Sequence, residues 1–266
     1  MILAIEIENS RINFGLFDDN SLLVNHFSIA TDINKTSDEY AILINSIFDY
    51  YKIDYKTITG AIICSVVPML TNVIFDLIKQ IFADIQIINV QKGIKTGFSI
   101  KVDNPAELGA DLIANAAAVI EKLKSENAHN VSSIIVDIGT ATTIFAINQN
   151  KEFIGGSIIP GIEMSFNTLH GKTAQLPNVT LIPPTKSIGK NSQESMRSGV
   201  LLGTAIMIDG FVDKFTKEMK TDNIKVFVTG EYSQNVISLC SSTYEYIPNL
   251  TLFGFYCIYK KNTIIW

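Results

Sequence analysis

The sequence predicts an α/β chain made of two similar halves, each opening on a strand–acid–turn–strand unit, with the active site in the cleft between them. Three observations carry that prediction. Residues 134–161, IIVDIGTATTIFAINQNKEFIGGSIIPG, begin as a β-branched strand ending in Asp137, followed by a turn at Gly139 and Thr140. A second apolar strand, a polar turn over residues 148–151 and a third strand reaching Gly155 and Gly156 complete a meander. Residues 2–17, ILAIEIENSRINFGLF, repeat the pattern with Glu6 as the acid, Asn9 and Ser10 in the turn, and Asp18, Asp19 and Asn20 closing the hairpin. Behind each unit, short apolar runs alternate with stretches of helical period, as in strands joined by right-handed crossovers. A carboxylate at the end of a buried strand, followed by glycine and small hydroxyl residues, lets N–H and hydroxyl groups reach a phosphate while the acid holds a cation. The same residues also suit an ordinary tight turn capped by its acid.

Residues 26–31 read as a third strand. Residues 37–51 have helical period, with Ser37 as N-cap and Tyr40, Ile42, Leu43, Ile47 and Phe48 spaced for one buried face. The run 61–67 (AIICSVV), closed by Pro68, suits a buried parallel strand, 72–82 a helix and 85–90 another strand. Asn104-Pro105-Ala106-Glu107 reads as a helix start, with an N-cap, proline at the first helical position and an acid at the third. That helix extends to about Lys124 on a stripe of Leu108, Leu112, Ala116, Ile120 and Leu123. Asp111 lies on it four residues before Asn115, on the same face, and either meets solvent or is held for a purpose. Residues 165–169 and 194–217 read as helices, 225–229 as a strand ending in Thr229-Gly230-Glu231, and a helix follows from about Ser233. Residues 250–259 are the last apolar segment, and 176–191, rich in Pro, Thr, Gly and Lys, are the long loop. The boundary falls between Lys124 and Ser132, giving halves of residues 1–125 and 132–266.

Composition narrows the function classes. An apolar share of 47% supplies a packed core, and 18% charged residues is too few for a disordered chain. A net charge of −5 without a Lys/Arg cluster argues against nucleic acid as a partner. The strongest apolar run, 200–212, is short and holds Asp209, which argues against a membrane span, and the N-terminus enters a strand with no secretory signal before it. Cys64, Cys240 and Cys257 are odd in number and lack metal spacing, so buried thiols in a cytoplasm fit best. His26, His129 and His170 are isolated, which leaves zinc and Ser-His-Asp chemistry unsupported.

The paired units make the chain similar to the superfamily of acetate and sugar kinases, heat-shock proteins and actin. That likeness implies a duplicated ribonuclease H-like (actin-like ATPase) fold, in which two hairpin turns clasp the phosphates of ATP. Within it, the chain resembles type III pantothenate kinases nearly end to end. The resemblance rests on SVVP at 65–68, NPAELGAD at 104–111, DIGTATT at 137–143, GGSIIPGIEMSFNTL at 155–169, TAQLP at 173–177, IGKNS at 188–192 and SGVLLG at 198–203. It implies ATP-dependent phosphorylation of pantothenate to 4'-phosphopantothenate, the first step towards coenzyme A. By the same resemblance Asp111 is the general base and Asp137 the ligand of a monovalent cation, K⁺ or NH₄⁺. ATP, arriving with Mg²⁺, is contacted by Glu6, Asn9, Ser10 and Asn13 of the first hairpin and by Thr140. Pantothenate is contacted by Val102, Gly109, Ala110, Asp111, Leu112 and Ser192. The resemblance further implies a cytoplasmic homodimer with the pantothenate pocket close to the subunit interface.

Several positions depart from the family pattern. The first turn, DxGNT in the family, is Glu6-Ile7-Glu8-Asn9-Ser10, which lengthens the acid at 6 by a methylene and puts a carboxylate at 8 where the family has glycine. A displacement of about 1 Å can cost roughly 10²-fold in rate. A carboxylate about 5 Å from a phosphate charge costs on the order of 3 kcal/mol at an effective dielectric near 20. GADR is GADL, so Leu112 replaces a guanidinium, and Val102 replaces a tyrosine. TGG on the adenosine side is TGE, with Glu231 as its acid. Two readings follow, an active pantothenate kinase and a weak or inactive family member that acts by binding. A kinase for another small hydroxy acid is a third.

Overall fold

In the computed structural model, which describes residues 1–82, 84–91 and 93–263, strand β1 (Ile2–Ile7) is buried at every position. Such a strand needs apolar cover on both faces. It lies in the middle of a five-stranded sheet of order β3 (Leu23–Ala30), β2 (Arg11–Phe17), β1, β4 (Gly60–Ser65) and β5 (Gln86–Asn89). The β1–β2–β3 meander is antiparallel, and β4 and β5 run parallel to β1. Helices α1 (Ser37–Tyr51) and α2 (Pro68–Ile81) cover one face. There Tyr40, Ile44, Phe48, Leu70 and Ile74 form a core with Leu3, Ile5 and Ile7. The buried face of α1 runs through Ile44, while Ile42 is 66% exposed.

The N-cap of α1 is Thr36, one residue before the expected Ser37. Thr36 and Glu39 form a reciprocal pair in which the hydroxyl accepts from the Glu39 N–H and the carboxylate accepts from the Thr36 N–H at 2.8 Å. Pro68 opens α2 rather than only closing β4, because a missing N–H is harmless in a first helical turn. The helix expected from Pro105 to Lys124 is divided. Pro105–Glu107 makes a single 3₁₀ turn, and α3 begins at Ala110 and runs to Ser125. Gly109 separates the two, and a side chain there would overlap the Asp111 carboxylate.

The second sheet has the order β11 (Glu245–Tyr246), β10 (Ile224–Thr229), β7 (Ser132–Ile138), β8 (Ala141–Ile147), β9 (Glu152–Pro160) and β6 (Ser99–Ile100). Read from β9 to β11, it repeats the first sheet strand for strand: an antiparallel meander β7–β8–β9, then β10 and β11 parallel to β7. This is the duplication of the ribonuclease H-like fold. The two-residue strands β6 and β11 are too short to leave a period in the sequence. Helix α4 (Ile162–Lys172) follows the meander, and α5 (Ser192–Arg197) continues through a π-helical turn at Ser198–Leu202 into α6 (Gly203–Met219). The combined run of 28 residues is long and apolar enough to cross a membrane. Its Val200, Leu201, Ala205 and Ile208 instead pack into the core with Ile134, Val136 and Ile138. Short α7 (Ser233–Ile237) follows β10.

The chain divides into two compact units, one of residues 1–97, 106–121 and the chain from Thr251, the other of 98–105 and 122–250. The final helix, α8 (Leu250–Thr263), therefore belongs with the first sheet although it ends the second run of strands. It lies on α3 so closely that a Cβ at Gly254 would overlap the Ala114 carbonyl.

Candidate active site

In the first unit the chemistry gathers at the C-terminal ends of β1 and β4, where parallel strands of α/β sheets present ligand groups. Strand register sets Glu6 opposite Asn13 on β2 and beside Cys64 on β4. Glu6 is buried, with 9% exposure. The Asn13 amide donates to Glu6 Oε2 at 3.1 Å and to Glu8 Oε2 at 3.2 Å, so one side chain holds both carboxylates. The turn itself is tied by the Glu8 N–H donating to the Arg11 carbonyl at 2.8 Å. The Thr31 hydroxyl donates to the Glu8 carbonyl at 2.7 Å. Asn9 and Ser10 are exposed at its tip. None of Glu8, Asn9 and Ser10 has a positive φ. The glycine expected at position 8 is therefore not needed for backbone conformation, only for close approach of a ligand.

Asp111 stands in the first turn of α3, half-buried, with its carboxylate folded towards the space left by Gly109. Burial, then the charges of Glu6 and Asp111, push the Cys64 thiol well above its ordinary range. Those two acids therefore act on one buried atom at the end of β4. Glu6 and Asn13 are thus held together, and Asp111, reached through Gly109 and Ala110, stands close enough for its charge to act on the same thiol. Leu112 is buried. In sequence Cys64 is only a buried thiol; its register with Glu6 arises from the pairing of β1 and β4.

The second unit builds a corresponding turn. Asp137, half-buried near the end of β7, is registered with Thr143 on β8 and Thr229 on β10, so the three side chains share one face. Among the described residues, the Thr143 Oγ1 is buried with no hydrogen-bond partner. The Gly139 N–H donates to the Ala141 carbonyl at 3.1 Å, leaving Thr140 exposed at the tip. Two segments press on this turn. Gly161, the N-cap of α4, lies where a Cβ would overlap the carbonyls of Gly139 and Thr140. Gly230, at φ +101°, lies where a Cβ would come 2.5 Å from Asp137 Oδ1 and 2.5 Å from the Ile138 nitrogen. Backbone bonding fixes that second approach: the Tyr232 N–H donates to the Ile138 carbonyl at 3.1 Å.

Val102 is half-buried, just after β6 in the second unit. Ser192 is exposed as the first residue of α5, behind Asn191, whose side chain caps the helix by accepting from the Glu194 N–H at 2.9 Å. No group of three or more His, Cys, Asp or Glu side chains among the described residues could hold a metal ion by itself.

The chain is similar to known proteins in sequence and in fold. A sequence-family model described as type III pantothenate kinase matches residues 2–214. The type III pantothenate kinase of Geotalea daltonii is 41% identical over 98% of this chain and 99% of its own length. Solved structures share the fold. One of a Baf family transcriptional activator assignment from Campylobacter jejuni superposes with a TM-score of 0.54 at 18% identity, covering 98% of this chain and 97% of that one. A propionate kinase from Francisella tularensis gives 0.51 at 10%, covering 96% and 98%. Identities that low speak to fold alone, whereas the full-length match at 41% speaks to kinship: this chain belongs to the type III pantothenate kinase family.

Proposed function

We propose that the chain transfers the γ-phosphoryl group of ATP to the primary hydroxyl of pantothenate, giving 4'-phosphopantothenate and ADP at the first step of coenzyme A biosynthesis. The observation that carries this reading is the full-length kinship with type III pantothenate kinases, which supplies the substrates. Asp111, retained in the first turn of α3, then takes the hydroxyl proton as that oxygen bonds to phosphorus and the bridging bond to the β-phosphate breaks. Phosphoryl transfer asks little more of a protein than an aligned hydroxyl, a proton acceptor and compensation of phosphate charge. Glu6, Asn9, Ser10, Asn13 and Thr140 serve the ATP turns, with Mg²⁺ carried on the nucleotide. The family resemblance assigns Val102, Gly109, Ala110, Leu112 and Ser192 to pantothenate binding.

A monovalent cation, K⁺ or NH₄⁺, suits the Asp137 turn. Its carboxylate shares a face with the unpartnered Thr143 hydroxyl, and the Gly230 backbone packs directly against that carboxylate. An all-oxygen donor set of one charge fits a weakly held hard cation. When bound, the cation offsets phosphate charge. The protein acts as a cytoplasmic homodimer. A coupled assay with millimolar ATP, Mg²⁺, K⁺ and pantothenate tests the reading, with Asp111→Asn as control. Turnover that vanishes in the control supports it. Absence of turnover together with absence of ATP binding by calorimetry refutes it.

A further inference from the structure

Three separate segments meet at the Asp137 turn, and a side-chain pair closes them into a ring. The Tyr232 hydroxyl donates to Glu163 Oε2 at 2.7 Å. Glu163 stands in the first turn of α4, two residues after Gly161, which abuts the Gly139 and Thr140 carbonyls. Tyr232 stands two residues after Gly230, which abuts the Asp137 carboxylate and Ile138. The Ser165 hydroxyl donating to the Gly161 carbonyl at 2.8 Å and the Ser233 hydroxyl donating to the Thr229 carbonyl anchor each segment on its own side. The phenol–carboxylate bond ties one segment to the other through side chains.

We infer that Glu163 and Tyr232 form a strap that sets the geometry of the Asp137 turn and so determines how tightly it binds a monovalent cation. The inference rests on the reading of Asp137 as the cation carboxylate. Cation affinity is sensitive to such a strap because it is set by oxygen positions to within a few tenths of an ångström, as groups hydrogen-bonded to a metal's ligands set metal affinity elsewhere. Both members are positioning residues.

The test measures cation binding apart from turnover. Melting temperature is followed against KCl concentration, with LiCl holding ionic strength constant, and the K⁺ midpoint of the initial rate is measured alongside. Tyr232→Phe and Glu163→Ala should each raise both K⁺ midpoints by about threefold to tenfold, the scale of one charge-assisted hydrogen bond at a partly exposed site. Glu163→Gln, which keeps an acceptor for the phenol, should recover most of the shift, and KM for pantothenate should move less than the K⁺ midpoint. Equal K⁺ midpoints in wild type and Tyr232→Phe overturn the strap alone. A wild type whose melting ignores K⁺, or an Asp137→Asn variant that still responds to it, overturns the cation reading and the strap with it.

Discussion

Gly230→Ala tests how the second turn is held. At φ +101° an alanine is strained whatever surrounds it, at about 1–3 kcal/mol. The new methyl would also sit 2.5 Å from Asp137 Oδ1, 2.5 Å from the Ile138 nitrogen and 2.6 Å from the Ile138 carbonyl carbon, where ordinary contact begins at 3.4 Å. The carboxylate oxygen could swing aside, but the Ile138 atoms belong to the backbone of β7. Relief therefore needs a displacement of about 0.9 Å, the difference between 3.4 and 2.5 Å. Overpacking of that kind adds about 1–3 kcal/mol, for a combined destabilisation of roughly 2–6 kcal/mol. A displacement near 1 Å at a reacting centre costs about 10²-fold in kcat/KM. Urea unfolding and the coupled kinase assay, each with the K⁺ midpoint, read the two effects. Gly210→Ala is the control: nothing lies within 4 Å of its added methyl, and in the middle of α6 it should gain about 0.5–1 kcal/mol of helix propensity. A Gly230→Ala protein with wild-type unfolding and kcat/KM within twofold of wild type would refute the argument.

Asp111→Asn should lower kcat by about 10²-fold to 10⁴-fold while ATP affinity by calorimetry stays near wild type, because it removes a proton acceptor and little else; an unchanged kcat contradicts its role as base. Glu8→Gly should tighten ATP binding, by roughly tenfold or more if about 3 kcal/mol of repulsion is partly screened. Weaker binding in that variant would instead assign Glu8 to holding the nucleotide's divalent ion. Burial pushes the Cys64 thiol up and the Cys257 thiol up to about 12, against roughly 8.5 in an unfolded chain. The raised folded value means that stability is full below the unfolded pKa and is lost as pH rises above it, at about 1.4 kcal/mol per pH unit for each thiol. Urea unfolding from pH 8 to 11 should therefore show a steeper decline in wild type than in Cys257→Ala, and equal slopes would contradict the burial.

Elements with a full period and their own stop signals were legible in the sequence. The β7–β8–β9 meander and its copy at β1–β2–β3 follow from alternating apolar runs broken at polar turns. The long loop expected over 176–191 falls within the chain between Lys172 and Ser192, where no helix or strand forms. Less legible was anything fixed by a partner distant in sequence. Asn104 and Pro105 carry every local sign of a helix start, yet only a 3₁₀ turn forms there and α3 begins at Ala110. Strands β6 and β11 exist only because a neighbour offers them an edge. Asp137, Thr140 and Asp111 stand out in the sequence as candidates because each lies in a recognisable motif. The Glu163–Tyr232 bond joins residues 69 apart, and its only trace in the sequence is a tyrosine after TGE.

The first turn shows why a departure from a family pattern must be judged with its neighbours. Taken alone, Glu6 is one methylene too long and Glu8 is a charge where a phosphate should approach. Both oxygens, however, are drawn to the Asn13 amide, whose two hydrogens suffice for one bond to each carboxylate. Register across the β1–β2 hairpin makes this possible, since Asn13 lies directly opposite Glu6 and the turn carries Glu8 back over the same face. The longer Glu6 side chain can then bend towards its cross-strand partner instead of projecting further, and Glu8 is held beside it rather than across the turn. On the proposed ATP reading, a negative pair fixed at one edge would repel phosphate while offering two oriented carboxylates to a divalent ion carried on the nucleotide. The tightening expected for Glu8→Gly follows if repulsion is the larger of the two, which makes that substitution the sharpest probe of how this hairpin replaces a glycine turn.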